Sequence, residues 1–201
     1  SEIYWPTYVI VIIVVLAIVT IAGIIFSPLI VRAIAPGFIK EPLKLAITIR
    51  LTRFLFPYIF LVGLAAYEMG VLNSLKHFSS PAFGASFLNI SMIAAGLLLC
   101  PRIGVWGLGL GVLMGGVLQA VVQLPFLFKK GFYIKRAFSL AHPAAKRIGV
   151  LLIPRTFGSA IYQLNVFVDT VLASFAGVVG AGGVAALYYS NRLIQFPMAI
   201  I

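Results

Sequence analysis

Long runs without a charged side chain constrain this sequence more than any other feature. The runs Ile3–Val31 and Ile103–Phe128 contain no Lys, Arg, Asp or Glu, and each exceeds the roughly 20 apolar residues with which a helix crosses a bilayer core about 30 Å thick. Only 9% of the residues are charged and the mean hydropathy is +1.14, whereas about a quarter of the residues in soluble domains are charged. The sequence therefore predicts an all-α integral membrane protein, a polytopic helix bundle.

Six apolar segments predict the membrane helices. They are Ile3–Val31, Phe54–Leu72, Phe83–Leu99, Ile103–Phe128, Ile148–Val179 and a last run that starts near Gly183. The turn Ala35, Pro36 and Gly37 ends the first segment. An amphipathic stretch, Lys40–Arg53, precedes the second and is expected to lie at the membrane interface. Only Cys100, Pro101 and Arg102 separate the third and fourth, which predicts antiparallel neighbours.

Glycines recur every four residues in the fourth segment, at Gly107, Gly111 and Gly115. In a membrane helix such a row lets a neighbouring backbone approach closely. A dinucleotide-binding loop would require a preceding strand, which the apolar run does not suggest. The row therefore predicts helix packing.

The basic residues lie mostly between the apolar segments. Fifteen Lys and Arg against four Asp and Glu give a net charge of +11, and this placement favours contact with anionic membrane lipids over nucleic acid. The loop 129–147 concentrates them and has no acidic residue, which predicts a cytoplasmic loop. Its basic residues are Lys129, Lys130, Lys135, Arg136, Lys146 and Arg147.

The sequence offers no catalytic constellation. Its single cysteine, Cys100, cannot form a disulfide framework or a thiolate metal site, and neither a metalloprotease motif nor a phosphate-binding lysine loop occurs. We therefore expect no enzyme activity. The chain lacks an initiator Met and its last apolar run has no following loop, so we expect an internal piece of a longer protein. The sequence does not predict the oligomeric state.

Four ionisable residues fall within apolar segments, where a charge costs roughly 2.5–3.5 kcal/mol and marks a function or a partner. Glu68 is near the end of its segment and is expected to reach the interface. Arg155 is near the start of the fifth segment and is expected to snorkel to the headgroups. Asp169 and Arg192 lie too deep for either explanation.

Asp169 belongs to a polar stripe. Ser159 and Gln163, and then Asn165 and Asp169, are each four residues apart and therefore lie one turn above one another. These oxygens suit a hard cation such as sodium, provided that other helices supply further ligands. The alternative is an aspartate that is hydrogen-bonded to a neighbouring helix or paired with Arg155 or Arg192.

Arg192 lies at the centre of a second stripe. Tyr188, Asn191, Arg192 and Gln195 share one helical face. A guanidinium recognises phosphate through two parallel hydrogen bonds, so the stripe predicts contact with an anionic substrate. An ion pair with Asp169 is the structural alternative.

Several motifs resemble the MurJ (MviN) lipid II flippases of the MOP exporter superfamily. The matching stretches are APGF at 35–38, FPYI at 56–59, GVLNS at 70–74, PAF at 81–83, LNIS at 88–91, GGVLQ at 115–119, QLP at 123–125, DTVLASF at 169–175 and ALYYSNRLIQFP at 186–197. They follow the family order along nearly the whole chain. Within that family the chain resembles transmembrane helices three to eight.

The resemblance implies a partial MATE/MOP-like two-lobe transporter of the bacterial inner membrane. Residues 1–128 would end the N-terminal lobe, 129–147 would form the cytoplasmic loop between lobes, and 148–201 would begin the C-terminal lobe. Such a protein flips lipid II, the undecaprenyl-pyrophosphate-linked peptidoglycan precursor, by alternating access. Arg192 would contact the pyrophosphate, with Tyr188, Asn191 and Gln195 beside it, and Asp169 would bind Na⁺, with Asn165 as a weaker ligand.

Two positions depart from the family pattern. Many members have Asp where this chain has Asn191 and Glu where it has Gln195, so the stripe around Arg192 is more positive here. Two alternatives to lipid II transport stay open at this stage. One is a flippase for another polyprenyl-linked oligosaccharide, and the other is a non-transporting scaffold for cell-wall enzymes.

Overall fold

The computed structural model describes residues 5–130, 160–175, 177, 180 and 182–198. Helices account for most of these residues, and their bounds follow. They are α1 (Trp5–Ile34), a 3₁₀ helix (Pro36–Lys40), α2 (Pro42–Leu55), α3 (Pro57–Ser74), α4 (Ser79–Leu98), α5 (Cys100–Ile103), α6 (Val105–Lys129), α7 (Ala160–Ala173) and α8 (Gly183–Met198). The described part of the chain is therefore all-α, as predicted.

Three stretches among the described residues are long and apolar enough to cross a membrane: Val9–Ile34, Pro42–Ser74 and Val105–Lys129. Much of their apolar surface faces outward, as Ile18 (61% exposed) and Leu29 (66% exposed) show on α1. Large continuous apolar surfaces are rare on soluble monomers. They are the expected lipid-facing surfaces of a multi-pass membrane protein.

The predicted stop after the first segment is confirmed. The helix α1 ends at Ile34, and the following Pro36 begins the 3₁₀ helix. Proline suits this first position because it has no N–H to leave unpaired there. A second proline, Pro57, separates α2 from α3. The interfacial location of residues 40–53 stays a prediction.

The helices α4 and α6 are antiparallel neighbours joined through α5, as the short connection predicts. Glycines bring them together, since a Cβ at Gly111 would lie 3.1 Å from the Ser91 carbonyl oxygen and one at Gly115 would lie 2.9 Å from Leu88 Cα. Ser91 Oγ also donates to the Gly111 carbonyl oxygen at 2.7 Å. The glycine row therefore serves close helix packing.

The helix α3 packs along another side of α6 in the parallel direction. At the start of α3, Tyr58 contacts Gly116 in the middle of α6. Further along, the Ala65 carbonyl oxygen accepts a hydrogen bond from Gln123 Nε2 at 3.3 Å. Val71, Leu72 and Leu127 then form a small buried cluster. This register determines which side of α3 is covered.

The described chain falls into two compact units. The first takes in α1 as far as Phe26 and the chain from Arg50 to the end of α6; the second takes in Ser27–Ile49 with α7 and α8. The division into 1–128, 129–147 and 148–201 stays a prediction. Most of the basic loop 129–147 lies outside the described residues, as do Arg155 and Ser159.

The second unit joins the end of α1 to the end of α7. The Gly37 backbone N–H donates to Ser174 Oγ at 3.0 Å, and both residues are buried. A Cβ at Gly37 would overlap the Ser174 carbonyl group, so only glycine permits this approach. The fifth segment was expected to continue to Val179, but α7 ends at Ala173 because the chain turns at Ser174, whose Oγ bonds back to the Val171 carbonyl oxygen.

Candidate functional site

The stripe on α8 is exposed in the structure. Tyr188, Asn191, Arg192 and Gln195 all lie on the surface of the second unit. Arg192 Nε donates to Tyr188 Oη at 3.3 Å, and the guanidinium carbon lies 5.4 Å from the centre of the same ring. The four-residue spacing predicted this neighbourhood. Tyr188 thus supports the guanidinium while leaving most of its N–H donors for a ligand.

Asp169 and Asn165 are also exposed, one turn apart on α7. Asp169 does not form an ion pair with Arg192 in the described part of the chain, so the structural alternative for these two residues is absent from this structure. The next residue, Thr170, donates its hydroxyl to the Val166 carbonyl oxygen at 2.7 Å. Among the described residues the Asp169 carboxylate has no cationic partner, and a pairing with Arg155 lies outside them.

A cavity of about 420 Å³ lies within the second unit beside the α8 stripe. Its lining includes Phe38, Lys44, Ser174 and Tyr188. Lys44 Nζ lies 4.2 Å from the centre of the Phe38 ring and 3.3 Å from Glu41 Oε1. Tyr188 therefore lines a pocket to which Lys44 also contributes.

The sequence did not predict that Lys44 lines this cavity. Lys44 was assigned only to the interfacial stretch before the second segment. The lysine and Tyr188 are far apart in sequence, and the hydrogen bond between Gly37 and Ser174 joins the segments that precede their helices. The APGF motif that contains Gly37 was visible as a turn. Its partner could not be read from local spacing.

The expectation for Glu68 was wrong. Its side chain was predicted to reach the interface, but only 3% of it is exposed. The parallel packing of α3 on α6 covers this side of α3, because Ala65 and Leu72 on either side of Glu68 contact α6. Gln119 and Gln123, four residues apart on α6, were the available signal of a polar partner surface.

Comparison with known proteins identifies the family. The profile of the family described as "Lipid II flippase MurJ" matches residues 5–201. A lipid II flippase MurJ of Burkholderia cenocepacia is 35% identical over 192 residues, which cover 92% of this chain and 37% of the relative. A probable lipid II flippase MurJ of Rhizobium tropici is 36% identical over 193 residues, or 93% of this chain and 36% of the relative.

A probable lipid II flippase MurJ of Buchnera aphidicola subsp. Acyrthosiphon pisum is 36% identical over 190 residues, covering 92% of this chain and 36% of that protein. The chain thus spans little more than a third of the length of these relatives. The family profile, in contrast, covers the chain almost completely. On this evidence the chain belongs to the MurJ lipid II flippase family.

Proposed function

We propose that this chain is the part of a bacterial inner-membrane flippase that contacts the pyrophosphate of lipid II. The carrying observation is the exposed stripe around Arg192, whose guanidinium is oriented by Tyr188 and has no carboxylate from Asp169. The relatives are lipid II flippases by name, which favours lipid II over other polyprenyl-linked substrates. No observation favours the scaffold alternative.

The chemistry of the stripe fits an anionic headgroup. Asn191 directly precedes Arg192, and Gln195 follows it by about one helical turn. Both side chains are neutral amides, so they can hydrogen-bond to phosphate or sugar oxygens without neutralising the arginine. A carboxylate at either position would compete with the substrate for the guanidinium. The two departures from the family pattern thus leave Arg192 available for an anion.

In this proposal the headgroup enters from the cytoplasmic side and docks on Arg192. The lobes then rock around it and release it on the other side of the membrane. Asp169 binds Na⁺, with Asn165 one turn away as a weaker ligand, and the ion favours return of the empty carrier. The exposed carboxylate of Asp169 supports this role because it has no cationic partner among the described residues.

Complementation tests the role of Arg192. In a full-length flippase that contains this segment, Arg192→Ala is expected to abolish rescue of cells depleted of their lipid II flippase, because the bidentate contact to pyrophosphate is lost. The matched control is Arg102→Ala, which removes an exposed arginine on α5 and should rescue fully. Rescue by Arg192→Ala at normal protein level would refute the proposal.

A further inference from the structure

The helices α3, α4 and α6 of the first unit each present a buried oxygen atom that has no hydrogen-bond partner. These atoms are Glu68 Oε2 on α3, Ser80 Oγ on α4 and Gln123 Oε1 on α6. The exposed fractions of these residues are 3%, 2% and 1%. Buried polar side chains in folded proteins nearly always have a partner. Three such atoms in one bundle therefore call for a ligand.

The contacts between α3 and α6 place Glu68 beside Gln123. Ala65 is held to Gln123 by the hydrogen bond from Nε2, and Leu72 packs against Leu127. Glu68 comes one turn after Ala65 and one turn before Leu72. Since the two helices are parallel here, its side chain lies at the level between Gln123 and Leu127.

The contacts between α4 and α6 place Ser80 at the same level. A Cβ on Gly84 would lie 3.4 Å from Gln119 Cγ and 3.6 Å from Gln123 Nε2. Ser80 comes one turn before Gly84, and α4 runs antiparallel to α6. Ser80 is therefore closer than Gly84 to the level of Leu127. This is the level along α6 at which Glu68 also lies. The three orphan oxygens thus occur at one level of a three-helix contact.

The orientation of the Gln123 amide is fixed by its surroundings. Nε2 donates to the carbonyl oxygens of Ala65 at 3.3 Å and Gln119 at 3.0 Å. A flipped amide would point its oxygen at these two carbonyl oxygens, which repel it. Oε1 must therefore accept from something else. Gln119 Oε1, one turn earlier, is also buried without a partner.

The charge of Glu68 has no counter-ion among the described residues. The basic side chains described near this end of the bundle are Lys76, His77, Lys129 and Lys130, and none forms an ion pair with Glu68. His77 instead stacks on Phe126, with ring centres 5.1 Å apart. Tyr67, the neighbour of Glu68, is neutral. A buried carboxylate in such a place requires a cation or a proton.

We propose that Glu68, Gln123 and Ser80 bind a sodium ion, with Gln119 as a further ligand. The donors are all oxygen atoms, which suit a hard cation. One carboxylate balances one positive charge, so a monovalent ion leaves the buried site neutral. A proton on Glu68 and the Ser80 hydroxyl would provide two donors for these four oxygen atoms, whereas a cation can contact all of them together. This site is separate from Asp169 and does not depend on the proposed transport activity.

Sodium-dependent thermal stability tests the site. A full-length flippase that contains this segment is purified with Asp169→Asn as background, which removes the other proposed sodium ligand, and is melted while NaCl replaces choline chloride at constant ionic strength. We expect Tm to rise with NaCl and to saturate. Glu68→Gln should abolish this rise, because the neutral amide of the same shape neither requires nor attracts the ion.

A pair of serines provides the matched control. Ser80→Ala should weaken the apparent affinity for Na⁺ at least about tenfold, since one ligand is lost. Ser91→Ala removes another buried serine of the same helix, whose hydroxyl is already bonded to Gly111, and should leave the affinity unchanged. Equal sodium midpoints for all variants, or a stabilisation that follows pH and not sodium, would overturn the proposal.

Discussion

Replacing Ser174 with alanine removes the acceptor of a buried backbone N–H. Gly37 is the second residue of its 3₁₀ helix, so its N–H has no acceptor within that helix, and Ser174 Oγ accepts it at 3.0 Å. A buried donor left unpaired costs about 1–3 kcal/mol. Gly37→Ala should cost about 2–6 kcal/mol, because crowding of the new Cβ against the Ser174 backbone adds about 1–3 kcal/mol to the loss of this hydrogen bond.

Denaturant titration of the chain in detergent measures these free energies of unfolding. Hydrogen exchange of the peptide that contains Gly37 supplies a local readout, since its amide should lose protection in Ser174→Ala. The comparison variant is Ser91→Ala, where a donor is lost but Gly111 keeps its helical hydrogen bond, so the cost should be about 0.5–1.5 kcal/mol. The reasoning fails if Ser174→Ala is no more destabilising than Ser91→Ala and Gly37 stays protected.

Two further predictions concern the second unit. In a Glu68→Gln background, Asp169→Asn should remove the remaining Na⁺ binding, because the carboxylate supplies the negative charge of the proposed Asp169 site. Binding is measured with radioactive sodium, and unchanged binding would exclude Asp169 as a ligand. In a full-length flippase without other cysteines, Asn191→Cys should react with a membrane-impermeant maleimide, because in the proposed function the α8 stripe faces the aqueous substrate path. Ile25→Cys, on an exposed apolar face of α1, should not react, and equal labelling would contradict the assignment of the two faces.

Local features predicted the helices well. The end of α1 follows from Pro36 and Gly37, because proline chemistry acts within one or two turns. The second segment was expected to begin at Phe54, whereas α3 begins at Pro57. The antiparallel pair α4 and α6 follows from a connection too short for any other arrangement. The face of α8 with Arg192 and Tyr188 follows from helical spacing alone.

The burial of Glu68 could not be predicted in the same way. Its position near a helix end is equally compatible with an interfacial side chain, and only the parallel register of α3 on α6 decides between them. The contact of Gly37 with Ser174 could not be predicted either, since it joins segments that are distant in sequence. Helix existence is set locally, whereas the covered face of each helix depends on its partner.

Among the described residues, the ionisable side chains singled out in the sequence are enclosed in the first unit and exposed in the second, and in a membrane each arrangement requires a different partner. In the first unit, Glu68 and Gln123 are enclosed between helices, so their orphan oxygens require a small ligand that fits within the bundle. In the second, Asp169 and Arg192 are exposed on helical faces, where hydrocarbon would be costly. Such faces are stable only against water or other protein. A large anionic substrate can reach the exposed face of α8 but not the enclosed groups of the first unit, which is why we propose the headgroup as the ligand of Arg192 and an ion as the ligand of Glu68.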